Sequence, residues 1–250
     1  MRRPAYLIFA ISALWLWCLP PADAAPTPSN SAARAAKLCH TLIGQAEQEL
    51  NIPRHLLQAV ALTESGRTIS MPPSGAAQDA EDRETFTAWP WTVMAEGRGR
   101  YLPSKEAAIR EVRMLRQKGV TNIDVGCMQV NLHYHGDAFS SLEEAFDPIH
   151  NVAYAATLLS KLREDRHSWT MAVKFYHSSD RERQSYYRKK VFTAWRKLQK
   201  RARGERLAAN SNKAPGWAAN PARAPLFRNY AAQKRQEETV RARLMSQATQ

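Results

Sequence analysis

The stretch Ala61-Leu62-Thr63-Glu64-Ser65-Gly66-Arg67 constrains this chain most, once it is read with Asp124-Val125-Gly126-Cys127-Met128-Gln129-Val130-Asn131. In the first, a glutamate closes an apolar helical run just before a glycine. Pro53 suits the first turn of that helix and Gly66 its end. Leu57, Val60 or Ala61, and Glu64 follow the spacing of one helical face. A carboxyl at the last turn of an apolar stripe is partly desolvated, so its pKa rises and it stays protonated near neutral pH. That is the state a general acid requires. The second stretch is a glycine-led Met-Gln turn that can supply a polar wall opposite the acid.

The flanking sequence predicts a mainly α fold with a small β insertion. A helix is expected from about Ser31 to Leu50, with Leu38, Leu42 and Leu50 among its buried positions. Residues 68–86 are rich in Ser, Pro, Ala and acids and read as a loop. Trp89 to Met94 and Arg98 to Leu102 flank Glu96-Gly97, a hairpin turn. Ser104 caps a helix that runs to about Lys118 and is closed by Gly119. Asn122 to Val125 fits a short strand. Ser141-Leu142-Glu143-Glu144 fits a capping box. Asp147-Pro148 opens a helix with Ile149, Val152, Ala156 and Leu159 inward, and Ser168 starts another through Ala172, Val173 and Tyr176. From Tyr186 to about Arg206 the pattern is helical and basic, with Val191, Trp195 and Leu198 spaced to pack. Residues 208–225 show no periodicity.

The 250 residues allow one cored domain with extensions. Arg2 and Arg3 precede an apolar run from Ala5 to Leu19, and Ala22-Asp23-Ala24 offers a small-x-small cleavage site, so residues 1–24 read as a secretory signal peptide. That places the protein in the periplasm or outside the cell, as a soluble exported chain. Residues 25–34 read as a linker, 35–180 as the domain, 181–207 as a basic helical extension and 208–250 as a basic, flexible tail. Cleavage near Ala24 would leave two cysteines, Cys39 and Cys127. An oxidising compartment favours their pairing over two separate buried thiols.

Charge divides the chain sharply. Residues 181–250 carry 18 Lys and Arg against 4 Asp and Glu, whereas residues 25–180 carry 16 against 18. The basic C-terminal part suits anionic wall polymers or a membrane surface, or serves only as a solubilising tail. Export argues against nucleic acid as a partner.

Four motifs now stand in order: Ala-Leu-Thr-Glu64-Ser65-Gly66, Gly126-Cys127-Met128-Gln129, Asn151-Val-Ala-Tyr-Ala-Ala, and Phe175-Tyr176-His177. Together they resemble the family 1 lytic transglycosylase (SLT) domain, over roughly residues 35–180. The Asp124–Asn131 stretch is most similar to the branch that includes transglycosylases of secretion and conjugation systems. The resemblance implies a lysozyme-like fold, a helical bundle around a cleft, and cleavage of peptidoglycan glycan strands by a monomer without metal or cofactor. It implies Glu64 as the sole acid/base. Ser65 and Gln129 would bond the sugar, Met128 and Asn131 would belong to the substrate-binding wall, and Tyr176 would lean toward Glu64 and orient it.

Three departures from the family pattern bear on these roles. Cys127 stands where Leu is common, which a bond to Cys39 would explain. His177 stands where Asn is common. The 62 residues from Glu64 to Gly126 are a long separation, filled by the Trp89–Leu102 hairpin and its following helix. Other readings stay open at single residues. Asp124 is a second acid or, more simply, a cap for the Gly126 turn. Glu96 sits in a hairpin turn and is either solvated or, if the hairpin overhangs the cleft, brought near substrate. His133, His135 and His177 read as cleft-wall or surface groups rather than metal ligands. Trp89 and Trp91 are two apart, so they face one side if the segment is a strand, and they either stack sugars or cover the core. At the level of function, a muramidase using water on the same scaffold and a catalytically idle wall-binding or assembly protein are the rivals.

Overall fold

The computed structural model describes residues 28–71, 83–211 and 226–248. The signal-peptide expectation and most of the 208–225 segment lie outside these residues. Among the described residues the chain is mainly helical with two small antiparallel sheets. None of the helices there is long and apolar enough to cross a membrane.

Helix α1 (Pro28–Glu49) begins within the expected linker. Its inward stripe is small: Ala35, Ala36, Cys39, Leu42, Ile43 and Ala46 are buried, while Leu38 is 43 % exposed. Leu38 thus corrects the expected face by one position, because the alanines let neighbouring elements approach most closely on the other side. Helix α2 (Leu56–Ser65) packs its apolar residues between α1 and a later helix. Glu47 of α1 caps it from a distance. Its two carboxylate oxygens accept the backbone N–H groups of His55 (2.7 Å) and Gln58 (3.0 Å), satisfying donors that have no partner inside the helix.

Gly66 does not end α2 in the left-handed conformation that a closing glycine commonly adopts. It has φ −63° and ψ 130° and begins strand β1 (Gly66–Met71). Glycine is required there by crowding: a Cβ would sit 2.2 Å from the Leu62 carbonyl oxygen and 2.4 Å from the Phe86 ring. Strand β1 pairs with β2 (Arg83–Ala88), from Gly66 opposite Ala88 to Met71 opposite Arg83. Of the expected 68–86 loop, the described residues 68–71 and 83–86 are strands paired with each other. Its β-formers Thr68, Ile69, Thr85, Phe86 and Thr87 are split by a Pro/Ser/Ala-rich stretch that hides the alternation.

The second sheet runs β4-β3-β5-β6, from β3 (Thr92–Ala95), β4 (Arg98–Tyr101), β5 (Ile123–Val125) and β6 (Val130–Asn131). Glu96 and Gly97 form the β3–β4 turn with φ 53° and 72°, the two positive values of a type I′ hairpin. Helix α3 (Lys105–Gln117), capped by Ser104, covers this sheet and forms a second core with Val93, Ile123, Val125 and Phe146. A short α4 (Leu142–Ala145) leads into α5 (Pro148–Arg166), which Asp147 caps. Val152, Ala156 and Leu159 are buried as expected, but Ile149 is 37 % exposed in the first turn.

Helix α6 (Trp169–His177) is followed by α7 (Arg181–Ser211). The expected extension belongs to the core. Gln184, Tyr187 and Val191 are buried, Trp195 and Leu198 pack beside them, and Trp195 Nε1 donates to the Arg54 carbonyl (2.8 Å). Helix α8 (Leu226–Ala248) also docks: Phe227 is fully buried, and its N–H donates to Glu49 (2.7 Å). The basic composition of both helices conceals one narrow apolar stripe each, enough to hold them. Cys39 and Cys127 form a disulfide across 88 residues, tying α1 to the turn after β5.

Candidate active site

Glu64 lies on the last turn of α2, where burial of the side chain raises its pKa to about 8. Nearby Asp124 raises it further, while a hydrogen bond from Tyr187 and the charge of Lys190 pull it down. The Tyr187 hydroxyl donates to Glu64 Oε1 at 2.5 Å. The desolvation favours the neutral carboxyl near pH 7, while the residue as a whole is half-buried. Tyr187 comes from α7, outside every motif. Its place could have been found from the stripe that carries Val191, Trp195 and Leu198, since 187 stands one turn before 191. Its ring lies flat against His177, with centroids 4.4 Å apart and planes 5° apart. Burial, together with Arg183 and Lys190, lowers the His177 pKa and keeps the ring neutral.

The turn from Gly126 to Gln129 is anchored from behind by Asn151 of α5. Asn151 Nδ2 donates to the Val125 and Ala145 carbonyls (3.0 and 3.1 Å), and its Oδ1 accepts the Met128 N–H (2.9 Å). Gly126 has φ 86°, and a Cβ there would stand 2.4 Å from the Asn151 amide. Both the backbone angle and the space demand glycine.

The expected substrate wall separates into builders and one open group. Ser65 is fully buried. Its hydroxyl donates to the Cys127 carbonyl (2.6 Å) and accepts from Trp89 N–H (3.3 Å), so it joins α2 to the turn and faces no cleft. Met128 is fully buried in the core, and its carbonyl accepts from the Tyr176 hydroxyl (3.0 Å). Tyr176 is thus bonded to the turn, and the hydroxyl bonded to Glu64 is that of Tyr187. Asn131 uses its whole amide. Nδ2 donates to Asn122 and Asp124, while Oδ1 accepts the His133 and Tyr134 N–H groups. Gln129 differs. Its Nε2 donates to the Thr92 and Gly126 carbonyls (3.1 and 3.0 Å), and its Oε1 is buried with no hydrogen-bond partner. Gln129 also sits at φ 49°, a strained angle for a residue with a side chain.

Asp124 accepts from Asn131 (2.7 Å), and burial raises its pKa. It helps hold the turn and also acts electrostatically on Glu64. Trp89 is 2 % exposed and donates to the Leu102 carbonyl, so it is core, while Trp91 is half-buried and meets it edge-on. Glu96 is solvated at the hairpin turn. The three histidines have separate ring partners: Tyr134 for His133, Tyr154 for His135 and Tyr187 for His177. Among the described residues no group of His, Cys, Asp and Glu could hold a metal ion. No protein-family model, curated protein or solved structure matches the chain.

Proposed function

We propose that this protein is an exported peptidoglycan lytic transglycosylase of lysozyme-like fold. One observation carries the reading: Glu64 is a desolvated carboxyl held protonated at neutral pH and oriented by a 2.5 Å hydrogen bond. In the proposed reaction Glu64 gives its proton to the oxygen bridging N-acetylmuramic acid and N-acetylglucosamine. The C1–O bond breaks, and the substrate's own N-acetyl oxygen stabilises the cationic C1. Glu64, now a carboxylate, takes the proton of the muramic acid C6 hydroxyl as that oxygen bonds C1. The products are a 1,6-anhydro end and a free 4-hydroxyl, and Glu64 is again protonated. An intramolecular hydroxyl has a high effective molarity, so the chemistry needs no second activating carboxylate. The unpaired Oε1 of Gln129 supports the reading as an acceptor for an amide N–H such as that of the N-acetyl group.

Hydrolysis on the same site is the second reading, favoured by Asp124, whose charge reaches Glu64. There Asp124 would activate water. The disulfide suits an oxidising compartment, and the proposed location is the periplasm or beyond. The basic helices would meet anionic wall polymers or a membrane surface.

The deciding experiment digests purified peptidoglycan with the protein and with Glu64→Gln, resolving products by mass. Anhydro-muramyl ends, one water lighter and absent with the variant, are expected. Reducing muramyl ends would establish the hydrolase instead. No cleavage by the unaltered protein removes both enzymatic readings.

A further inference from the structure

An open cavity of about 440 Å³ is lined by residues of α1, the turn before α2, α2, β2 and the second half of α7. None of Glu64, Asp124, Gln129, Tyr176 or Tyr187 lines it. Its walls include Ile43, Leu62, Ala88 and Leu198, with the 56 % exposed ring of Phe86 among its lining groups. Its size falls within the roughly 300–1,000 Å³ typical of small-molecule sites.

The charged lining is one-sided. Among the described residues, Lys37, Arg54 and Arg201 line the cavity with a single acid, Glu205. Glu205 is bonded to Arg201 at 2.9 Å, but both side chains are well exposed, and such a pair holds its partner weakly. Glu47, close enough to feel Arg54, is occupied with the backbone N–H groups of His55 and Gln58. Lys37 and Arg54 have no ion-pair partner among the described residues. Two histidines and an amide complete the polar lining. Gln58 Nε2 lies 2.7 Å from His40 Nδ1, and Gln58 Oε1 lies 3.2 Å from His55 Nδ1. The other ring nitrogen of His55 is buried and has no partner. Burial, then His55 and Arg201, lower the His40 pKa.

Apolar walls beneath an excess of cations fit one kind of ligand. We infer that this cavity is a second binding site, for an amphiphilic anion: a phosphate or carboxylate head against Lys37, Arg54 and Arg201, with an apolar portion against Leu62 and Leu198. The head group displaces Glu205 from Arg201 and brings negative charge to His40. This inference is independent of glycan cleavage.

The test follows the ¹H–¹⁵N spectrum and the His40 ring signals of the full chain during titration with decyl phosphate. Inorganic phosphate and decyl maltoside are the controls. One saturable site is expected, moving the Gln58 and Ala88 amides, with His40 titrating at higher pH when the site is filled. Both controls should bind at least tenfold more weakly. Arg54→Glu with Arg201→Glu should weaken decyl phosphate at least tenfold, and Leu198→Trp, which fills the cavity, should abolish binding. Retained melting temperatures show that these variants fold. A parallel titration with phosphatidylglycerol vesicles separates the two sources of this chemistry: binding there assigns a membrane lipid, and binding of decyl phosphate alone assigns a soluble amphiphile. Equal binding of inorganic phosphate reduces the site to a charge patch and overturns the inference. So does equal binding of decyl maltoside, or the absence of saturable shifts at Gln58 and Ala88.

Discussion

Where the end of α2 meets the Gly126–Asn131 turn, two sets of polar groups stand side by side and are built in opposite ways. Asn151 of α5, Ser65 of α2 and Asn131 of the turn, which together hold the turn in place, are fully engaged: their hydrogen-bonding groups meet protein partners. At Glu64 and Gln129 the protein leaves work undone. A carboxyl is desolvated although its charged form is penalised, and an amide oxygen is buried without a hydrogen-bond partner among the described residues. Closed networks give rigidity, whereas open ones cost stability and are kept where a ligand or a reaction completes them. The contrast separates residues whose hydrogen bonds are spent within the fold from those to which the proposed reaction assigns a role, which the motifs alone do not do.

The largest effect should come from Glu64→Gln. Cleavage should fall by about 10²–10⁴-fold, the usual weight of a general acid. Stability should move the other way. Between the ordinary carboxyl pKa and about 8 the folded state holds a proton that the unfolded chain has released. Stability of the unaltered protein therefore falls as pH rises through that window and levels off above it. The glutamine variant lacks this fall and should be more stable at pH 7 by on the order of 2–3 kcal/mol. Denaturant melts of both proteins at pH 5 and 8 measure the difference. Parallel curves would mean that Glu64 is not held neutral.

Removing the disulfide by Cys39→Ala with Cys127→Ala tests the builders. An 88-residue separation predicts a loss of about 4–5 kcal/mol in the chain-entropy account. The loss should appear in urea melts of the pair against the unaltered protein, with no change in the pH dependence assigned to Glu64.

Tyr187→Phe should be smaller and specific. The lost hydrogen bond favoured the charged form of Glu64, so its pKa moves above 8 and the alkaline limb of activity follows it. A fall in kcat of about tenfold with little change in KM is expected from a group that orients rather than binds. An unmoved alkaline limb would remove Tyr187 from the acid's immediate control.

The smallest effect on catalysis belongs to Ser65→Ala. It leaves the buried Cys127 carbonyl without its side-chain donor, at about 1–3 kcal/mol of stability. Activity should hold within a few-fold. A KM raised more than tenfold at unchanged stability would return Ser65 to the sugar-binding role and break the division drawn here.

The sequence by itself determined the periodic and punctuated features. These include the α2 stripe ending at Glu64, the Glu96-Gly97 hairpin, the caps at Ser104, Ser141 and Asp147, and the placement of Val191, Trp195 and Leu198 toward the core. All follow from spacing and local hydrogen bonding, which act over a few residues. Tertiary structure alone decided what depended on distant neighbours. Leu38 and Ile149 proved exposed because the close-packed faces lie beside them. The strands around the 72–82 segment form because they pair with each other. Tyr187 reaches Glu64 across 123 residues, and Ser65 turns inward because a carbonyl 62 residues away accepts its hydroxyl. A motif specifies which side chains are present. Whether each has a hydrogen bond left to offer depends on long-range contacts that no local pattern encodes.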